Sequence, residues 1–199
     1  MTSELKLSLF NGSSEKRGGK LHPHKFTMWI AIASILMMFA GLTSAFIVKS
    51  NLVGWREIVV PNVFWVSTVA IVASSLTLQL AISAFKQRKA SIYRLLVALT
   101  FVLGMVFVAL QLVGFAELWN NQNIKFTGVS GAGQFLYVIF GLHALHVLGG
   151  IVVLIVMLLK AYFGKTKVYS AVPIELAAIY WHFVDILWIY LLIFFLVIR

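Results

Sequence analysis

Five long apolar runs divide this sequence, and they constrain its fold more than any other feature. They cover residues 26–48, 62–85, 95–118, 133–159 and 174–198. Each run is long enough to supply the roughly 20 residues that an α-helix needs to cross a bilayer. Because lipid offers the backbone no hydrogen-bond partners, a single segment that spans it has to be helical. The sequence therefore predicts an all-α integral membrane protein, built as a bundle of five transmembrane helices.

The composition agrees with this prediction and excludes several other classes of protein. Hydrophobic residues make up 61% of the 199 residues, which is more than a soluble domain of this size can bury. The absence of cysteine excludes disulfides, thiolate metal sites and cysteine nucleophiles. The basic residues behind the net charge of +10 lie mostly in the tail and in the loops between the apolar runs. Membrane topology accounts for this distribution, so we expect no nucleic-acid partner.

The distribution of lysine and arginine predicts the orientation of the chain. Twelve of these 16 residues lie on one side, in the tail and in the loops that join runs two to three and four to five. The positive-inside bias places that side, with the N-terminus, in the cytoplasm and the C-terminus outside. We expect residues 1–25 to form a basic cytoplasmic tail and residues 26–199 to form the membrane domain. Because the loops are short, sequential helices should pack as antiparallel neighbours.

Polar side chains inside the apolar runs are the candidate functional residues, since such groups are costly in hydrocarbon. They are Gln111, Glu117, His143, His146, Glu175, His182 and Asp185. Gln111 is expected to form a hydrogen bond between helices. Glu117 lies close to the outer boundary of the third run and is a secondary candidate.

The histidines are open to several interpretations. His143 and His146 are three residues apart, so they share one helix face. They could be core histidines with satisfied hydrogen bonds, members of a proton or lipid-contact network, or haem or metal ligands. A haem b site would need His182 as its second ligand, and the helical rise places that residue about 10 Å away in depth.

The fifth run contains the most polar stretch. His182 and Asp185 are also three apart, and a hydrogen-bonded pair is the least costly way to hold both groups in a low dielectric. Glu175 follows Pro173, which is typical of an anion in the first turn of a helix. No motif for a redox or hydrolytic centre is present. The residues alone leave an accessory subunit, a proton or small-solute carrier and a haem b membrane anchor as alternatives.

Two motifs give the chain a family resemblance. GLHALHV (141–147) and YWHFVDILW (180–188) resemble the G-x-H-G-L-H-V and W-H-F-V-D-V-V-W motifs of subunit III of the haem–copper terminal oxidases. GMVFVALQ (104–111) is similar to the G-x-x-F-x-x-x-Q of the preceding helix in that family. The length is similar to the five-helix bacterial form.

The resemblance implies a subunit that has no catalytic centre and binds no metal or redox cofactor of its own. The haems and copper would lie in partner subunits of a cytochrome c or quinol oxidase, which reduces oxygen to water and pumps protons in the bacterial cytoplasmic (inner) membrane. This chain would pack mainly against subunit I, with subunit II in the same complex. It would also hold structural phospholipids and support proton uptake.

Two positions depart from the family pattern. The seven-helix members carry a buried carboxylate directly after the residue that matches Ser34, where this chain has Ile35. The family motif Q-x-x-E-Y loses its glutamate to Gly114, and Glu117 follows three residues later. The departures predict that these family carboxylates do not operate here, with Glu117 as the candidate substitute.

Overall fold

The computed structural model of the protein consists of five α-helices in the part of the chain that it describes. The described residues are 23–50, 60–120, 132–163 and 172–198. The helices are α1 (Pro23–Ser50), α2 (Val63–Lys86), α3 (Ala90–Asn120), α4 (Ala132–Phe163) and α5 (Val172–Val197). No strand occurs among these residues.

Each of the five helices is long and apolar enough to cross a membrane. The predicted all-α fold with five transmembrane helices is therefore confirmed. Large apolar side chains cover much of the outer surface, as on Trp29, Leu95 and Phe163. The orientation of the termini and the division into a tail (1–25) and a membrane domain (26–199) stay predictions, and residues 1–22 lie outside the described residues.

A tight turn joins α2 to α3 and sets them side by side. The N–H of Lys89 donates to the carbonyl of Ala84, and the N–H of Arg88 donates to the carbonyl of Phe85. This pair of bonds is a Schellman motif, which requires a left-handed residue after the helix. Arg88 occupies that position with φ 58°. The chain thus reverses within three residues, and α2 and α3 form the most extensive helix pair of the described chain.

Helices α2 to α5 form a closed ring of four. Contacts join α2 to α3, α3 to α4, α4 to α5, and α5 back to α2. Helix α1 lies outside this ring, against α4 and α5, and none of its described residues contacts α2. The expectation that sequential helices are neighbours is therefore wrong for α1 and α2. The four-helix ring is closed without α1, so the first helix packs on the outside of the ring, against α4 and α5.

Helix α5 is the most buried of the five, and two tryptophans anchor it. The indole N–H of Trp181 donates to Ser74 Oγ (3.0 Å), and that of Trp188 donates to Thr68 Oγ1 (2.9 Å). A Cβ atom on Gly150 would lie 2.8 Å from the Trp181 ring. This position therefore has to be glycine for α4 to approach α5 so closely.

The outer helix α1 is held to α5 by aromatic and polar contacts. Phe46 is fully buried and lies edge-on to Phe194 and Phe195, with ring centroids 5.5 and 5.2 Å apart. The hydroxyl groups of Thr43 and Tyr190 are 3.0 Å apart and share a hydrogen bond. These contacts fix the C-terminal half of α1 against the last three turns of α5.

Candidate functional site

The three histidines of α4 and α5 face three different sides of the bundle. His146 lies toward α1, with its ring 5.8 Å from that of Phe39 and its Nδ1 bonded to the carbonyl of Leu142. His143 lies inside the ring, 5.5 Å from the Trp188 ring. His182 faces α2. The structure thus does not bring together the two imidazoles that a haem b would need, and the described residues contain no group of three acidic or histidine side chains placed to hold a metal.

His182 and Asp185 do not form the predicted pair. Nδ1 of His182 is hydrogen-bonded to the hydroxyl of Ser75, and its Nε2 lies 3.4 Å from Oε1 of Gln79. Neither carboxyl oxygen of Asp185 has a hydrogen-bond partner among the described residues. The spacing places the two residues on one face, but α2 offers the imidazole a hydroxyl and an amide directly opposite. The interhelical partners therefore replace the intrahelical one.

Asp185 is consequently a buried carboxyl group that no described residue hydrogen-bonds. It is 4% exposed and lies about 20 Å along a helix of about 40 Å, at 1.5 Å per residue. Ser75 is close enough to interact with the carboxyl group, without the geometry of a hydrogen bond. Such a group can exchange a proton or accept a hydrogen bond from a partner, and both would lower the cost of burial.

Glu175 lies in the first turn of α5 and joins three helices at one end of the bundle. Its two carboxylate oxygens contact Nζ of Lys25 on α1 and Nζ of Lys86 on α2, each at 2.9 Å. Glu175 was predicted as a helix-start anion, and its ion pairs with the two lysines were not predicted. The signal was available, since the lysine count places Lys25 and Lys86 on the side where α5 begins. We call Lys25, Lys86 and Glu175 the three-helix charge cluster.

Gln111 on α3 and His143 on α4 are both buried inside the four-helix ring. The Gln111 amide donates to Ser67 Oγ (2.9 Å), which joins α3 to α2. The Ser67 hydroxyl in turn donates to the carbonyl of Phe64. Gln111 Oε1 and both ring nitrogens of His143 have no hydrogen-bond partner among the described residues. The interior of the bundle thus contains a second group of unpaired polar atoms, separate from Asp185.

Both sequence motifs lie within a stretch of the chain that matches a known protein family. The family described as Cytochrome c oxidase subunit III matches residues 22–198. The chain belongs to this family. The predicted resemblance is therefore confirmed, and it covers all five helices.

Individual members of the subunit III family agree along most of their length. The chain is 30% identical to "Cytochrome c oxidase subunit 3" of Corynebacterium diphtheriae, over 82% of each chain. It is 26% identical to the protein of the same name from Bacillus sp. (strain PS3), over 96% of this chain and 95% of that one. It is 25% identical to "Probable quinol oxidase subunit 3" of Staphylococcus epidermidis, over 84% of this chain and 85% of the relative.

The departures from the subunit III motifs have a structural reason at Gly114. A Cβ atom at this position would lie 2.2 Å from Cε1 of Phe64, so the Phe64 ring fills the space where the motif has a glutamate side chain. Ile35 is half-buried and packs against the apolar core. Glu117 is half-buried one turn nearer the end of α3. The Phe64 ring therefore leaves no room for a carboxylate side chain at position 114.

Proposed function

We propose that this chain is the accessory subunit III of a proton-pumping haem–copper terminal oxidase, without a redox centre of its own. Membership of the subunit III family supports its place in a multi-subunit oxidase complex. The haems and copper belong, in this proposal, to subunits I and II. Named relatives include both cytochrome c oxidase and quinol oxidase subunits, so the proposal covers either electron donor.

A polar surface on α2 and α5 carries the proposal that the chain packs against subunit I. Gln79 is exposed, and Ser75 and His182 are half-buried beside it. These three residues, which we call the α2–α5 polar surface, lie well inside spanning helices. These side chains hydrogen-bond to one another, but polar groups at a depth where water is absent are still more costly against acyl chains than against a polar partner. A helix of a partner subunit covers them better than lipid does.

Asp185 extends the same argument. The unpaired carboxyl group lies one helical turn from His182, on the side of α5 that faces α2 through Ser75. In the proposed complex a donor or an ordered water chain from subunit I reaches this group. Asp185 then supports proton uptake by the complex while the reaction itself takes place in subunit I.

The three-helix charge cluster supports the proposed binding of structural phospholipid. It contains two lysines and one glutamate, so it keeps one net positive charge at the end of the bundle. The Lys86 side chain is 56% exposed, which leaves an ammonium group near the membrane surface. A basic group at this level attracts anionic headgroups by about 1 kcal/mol.

Co-purification tests the proposed function. The tagged chain, extracted in mild detergent from aerobically grown cells, should purify with a large subunit that carries haem and copper. Haem absorbance and metal analysis of the purified sample identify that subunit. Recovery of a homogeneous homomer without haem would refute the proposal.

Site-directed cross-linking tests the proposed contact surface, and the chain's lack of cysteine makes this simple. A cysteine at Gln79→Cys, which is on the α2–α5 polar surface, should cross-link to subunit I in the intact complex. Leu99→Cys serves as the matched control, because Leu99 is a 44% exposed side chain on α3, outside that surface. Equal cross-linking from both positions would contradict the assignment of the surface.

A further inference from the structure

A line of hydrogen-bonding side chains runs from the surface of α2 to the buried carboxyl group of Asp185. Oε1 of Gln79 lies 3.4 Å from Nε2 of His182, and Nδ1 of His182 is bonded to the hydroxyl of Ser75. Ser75 in turn lies within interaction distance of the carboxyl group. Gln79 is exposed and Asp185 is 4% exposed, and both residues between them are half-buried. This line therefore connects an accessible amide with an inaccessible acid.

The line begins toward the end of the bundle that carries the three-helix charge cluster. Gln79 is seven residues from Lys86 on α2, and His182 is seven residues from Glu175 on α5. Each separation is two helical turns, about 10 Å along the helix, and Asp185 lies one turn further inward. A spacing of seven residues keeps each pair on one side of its helix. Lys86 is the only charged side chain of α2, so the cluster holds the charged groups that the line approaches at its outer end.

The imidazole of His182 can pass a proton along this line because its two nitrogens face different partners. A neutral imidazole donates from one nitrogen and accepts at the other. With its proton on Nε2, the ring donates to Gln79 and accepts from the Ser75 hydroxyl, which agrees with a carboxyl group that receives no hydrogen bond. With its proton on Nδ1, the ring donates to Ser75, whose own hydroxyl hydrogen is then free to turn to Asp185. The direction of one hydroxyl group thus depends on the tautomer of one ring.

We propose that His182 and Ser75 form a proton relay between Gln79 and Asp185. This inference deepens the proposed role of Asp185 in proton uptake and rests on it. In one transfer a proton binds Nε2 of His182, Nδ1 gives its proton to the Ser75 oxygen, and Ser75 passes its hydroxyl proton to the carboxylate. The carboxylate becomes a neutral acid, and the imidazole is neutral again with its proton on Nε2. No net charge is then left in the low-dielectric interior. The same steps in reverse release the proton.

A merely structural network would join α5 to α2 without exchanging protons, and the bundle already has one. Ser74 and Thr68 of α2 accept hydrogen bonds from the indoles of Trp181 and Trp188. Neither of these bonds involves an acidic or basic group. The line from Gln79 differs because it contains an imidazole and ends at a carboxyl group, the two side chains that most readily exchange protons near neutral pH.

The exchange of the Asp185 proton can be measured directly, because this residue is the only aspartate of the chain. The full chain is made in a cell-free system with aspartate that carries ¹³C in its side-chain carboxyl, and it is placed in lipid nanodiscs. Infrared spectroscopy then follows one labelled carbonyl band at a pH where the acid is protonated. On transfer to heavy water the band shifts as deuterium replaces the proton. Ser75→Ala and His182→Phe should each slow this shift about tenfold, which corresponds to about 1.4 kcal/mol in the barrier.

A conservative variant and a second histidine separate the relay from a loss of packing. Ser75→Thr keeps the hydroxyl group and should exchange faster than Ser75→Ala. His146→Phe is the matched control, because His146 lies on α4 and faces α1, and its exchange should equal that of the wild type. The relay would be overturned by unchanged exchange in Ser75→Ala or His182→Phe, by equal slowing in His146→Phe, or by a labelled group that never protonates while the chain is folded.

The relay and the proposed role in proton uptake fail in different ways. If label exchange depends on Ser75 and His182 while Asp185→Asn leaves proton uptake by the purified oxidase unchanged, the relay stands and the role in uptake is wrong. If Asp185→Asn slows uptake while label exchange does not depend on Ser75 or His182, the role stands and the relay is wrong.

Discussion

The close approach of α2 and α3 predicts that Gly114→Ala is strongly destabilising. A Cβ atom there would lie 2.2 Å from Cε1 of Phe64, whereas two carbon atoms are at rest near 3.5 Å. The ring or the helix therefore has to move by about 1.3 Å. Phe64 cannot swing away, because Phe115, Phe140 and Trp188 surround it with ring centroids 6.0, 5.8 and 5.5 Å from its own.

The expected cost of Gly114→Ala is at the upper end of overpacking, about 3 kcal/mol, which is roughly a hundredfold in the folding equilibrium. Equilibrium unfolding of the purified chain in mixed detergent micelles, followed by tryptophan fluorescence, measures it. Gly41→Ala and Gly141→Ala are matched controls, since a Cβ atom at either position meets nothing within 4 Å. They carry the same gain in helix propensity without the clash.

A double-mutant cycle with Phe64→Leu identifies the cause of that cost. If the clash with the Phe64 ring is responsible, Gly114→Ala should cost much less in the Phe64→Leu background. A Gly114→Ala chain as stable as Gly41→Ala would refute the reasoning. A full cost that persists without the Phe64 ring would show that another neighbour sets the requirement for glycine.

Three further predictions follow from single contacts. Glu175→Gln should lower the free energy of unfolding by about 1 kcal/mol at low salt and by less at high salt, because it removes two partly exposed ion pairs. Glu117→Gln is the control. An effect that does not depend on salt would contradict the ion-pair origin. Tyr190→Phe removes the hydrogen bond to Thr43 and should lower the free energy of unfolding by about 1 kcal/mol. Backbone hydrogen exchange should become faster in α1. An equal increase in the α2–α3 hairpin would show that the effect is not local. Asp185→Asn should leave the isolated chain as stable as the wild type, since no hydrogen bond within the described chain is lost, while it slows proton uptake by the oxidase, the role proposed above for this carboxyl group. A large loss of stability in the isolated chain would reveal a partner within it.

The five helices could be predicted from the sequence because lipid imposes one solution on an apolar run of that length. Side-chain periodicity was not needed, since the backbone alone requires a helix. The position of α1 could not be predicted in the same way. Short loops make neighbours of sequential helices only when the second helix still has a free face, and α2 uses its buried face on α3 and α5.

The polar residues show where local spacing is insufficient. The prediction of a His182–Asp185 pair rested on a shared helix face, but the structure gives the imidazole to Ser75 and Gln79 of α2. Glu175 was placed correctly in a first turn, yet its partner Lys25 is 150 residues away in sequence. Contacts of this kind depend on which helices meet, and one sequence does not specify that.

The position of α1 outside the four-helix ring has a consequence for biosynthesis. Helix α1 is made first, but its neighbours α4 and α5 are made last. During translation α1 therefore enters the bilayer before either of its packing partners has been made. The α2–α3 hairpin forms in the meantime. The packing site of α1 is complete only when α5 has been made, since Phe46 and Thr43 contact the last turns of α5. A nascent chain that stalls before α5 therefore leaves the face of α1 that carries Thr43 and Phe46 without its packing partner.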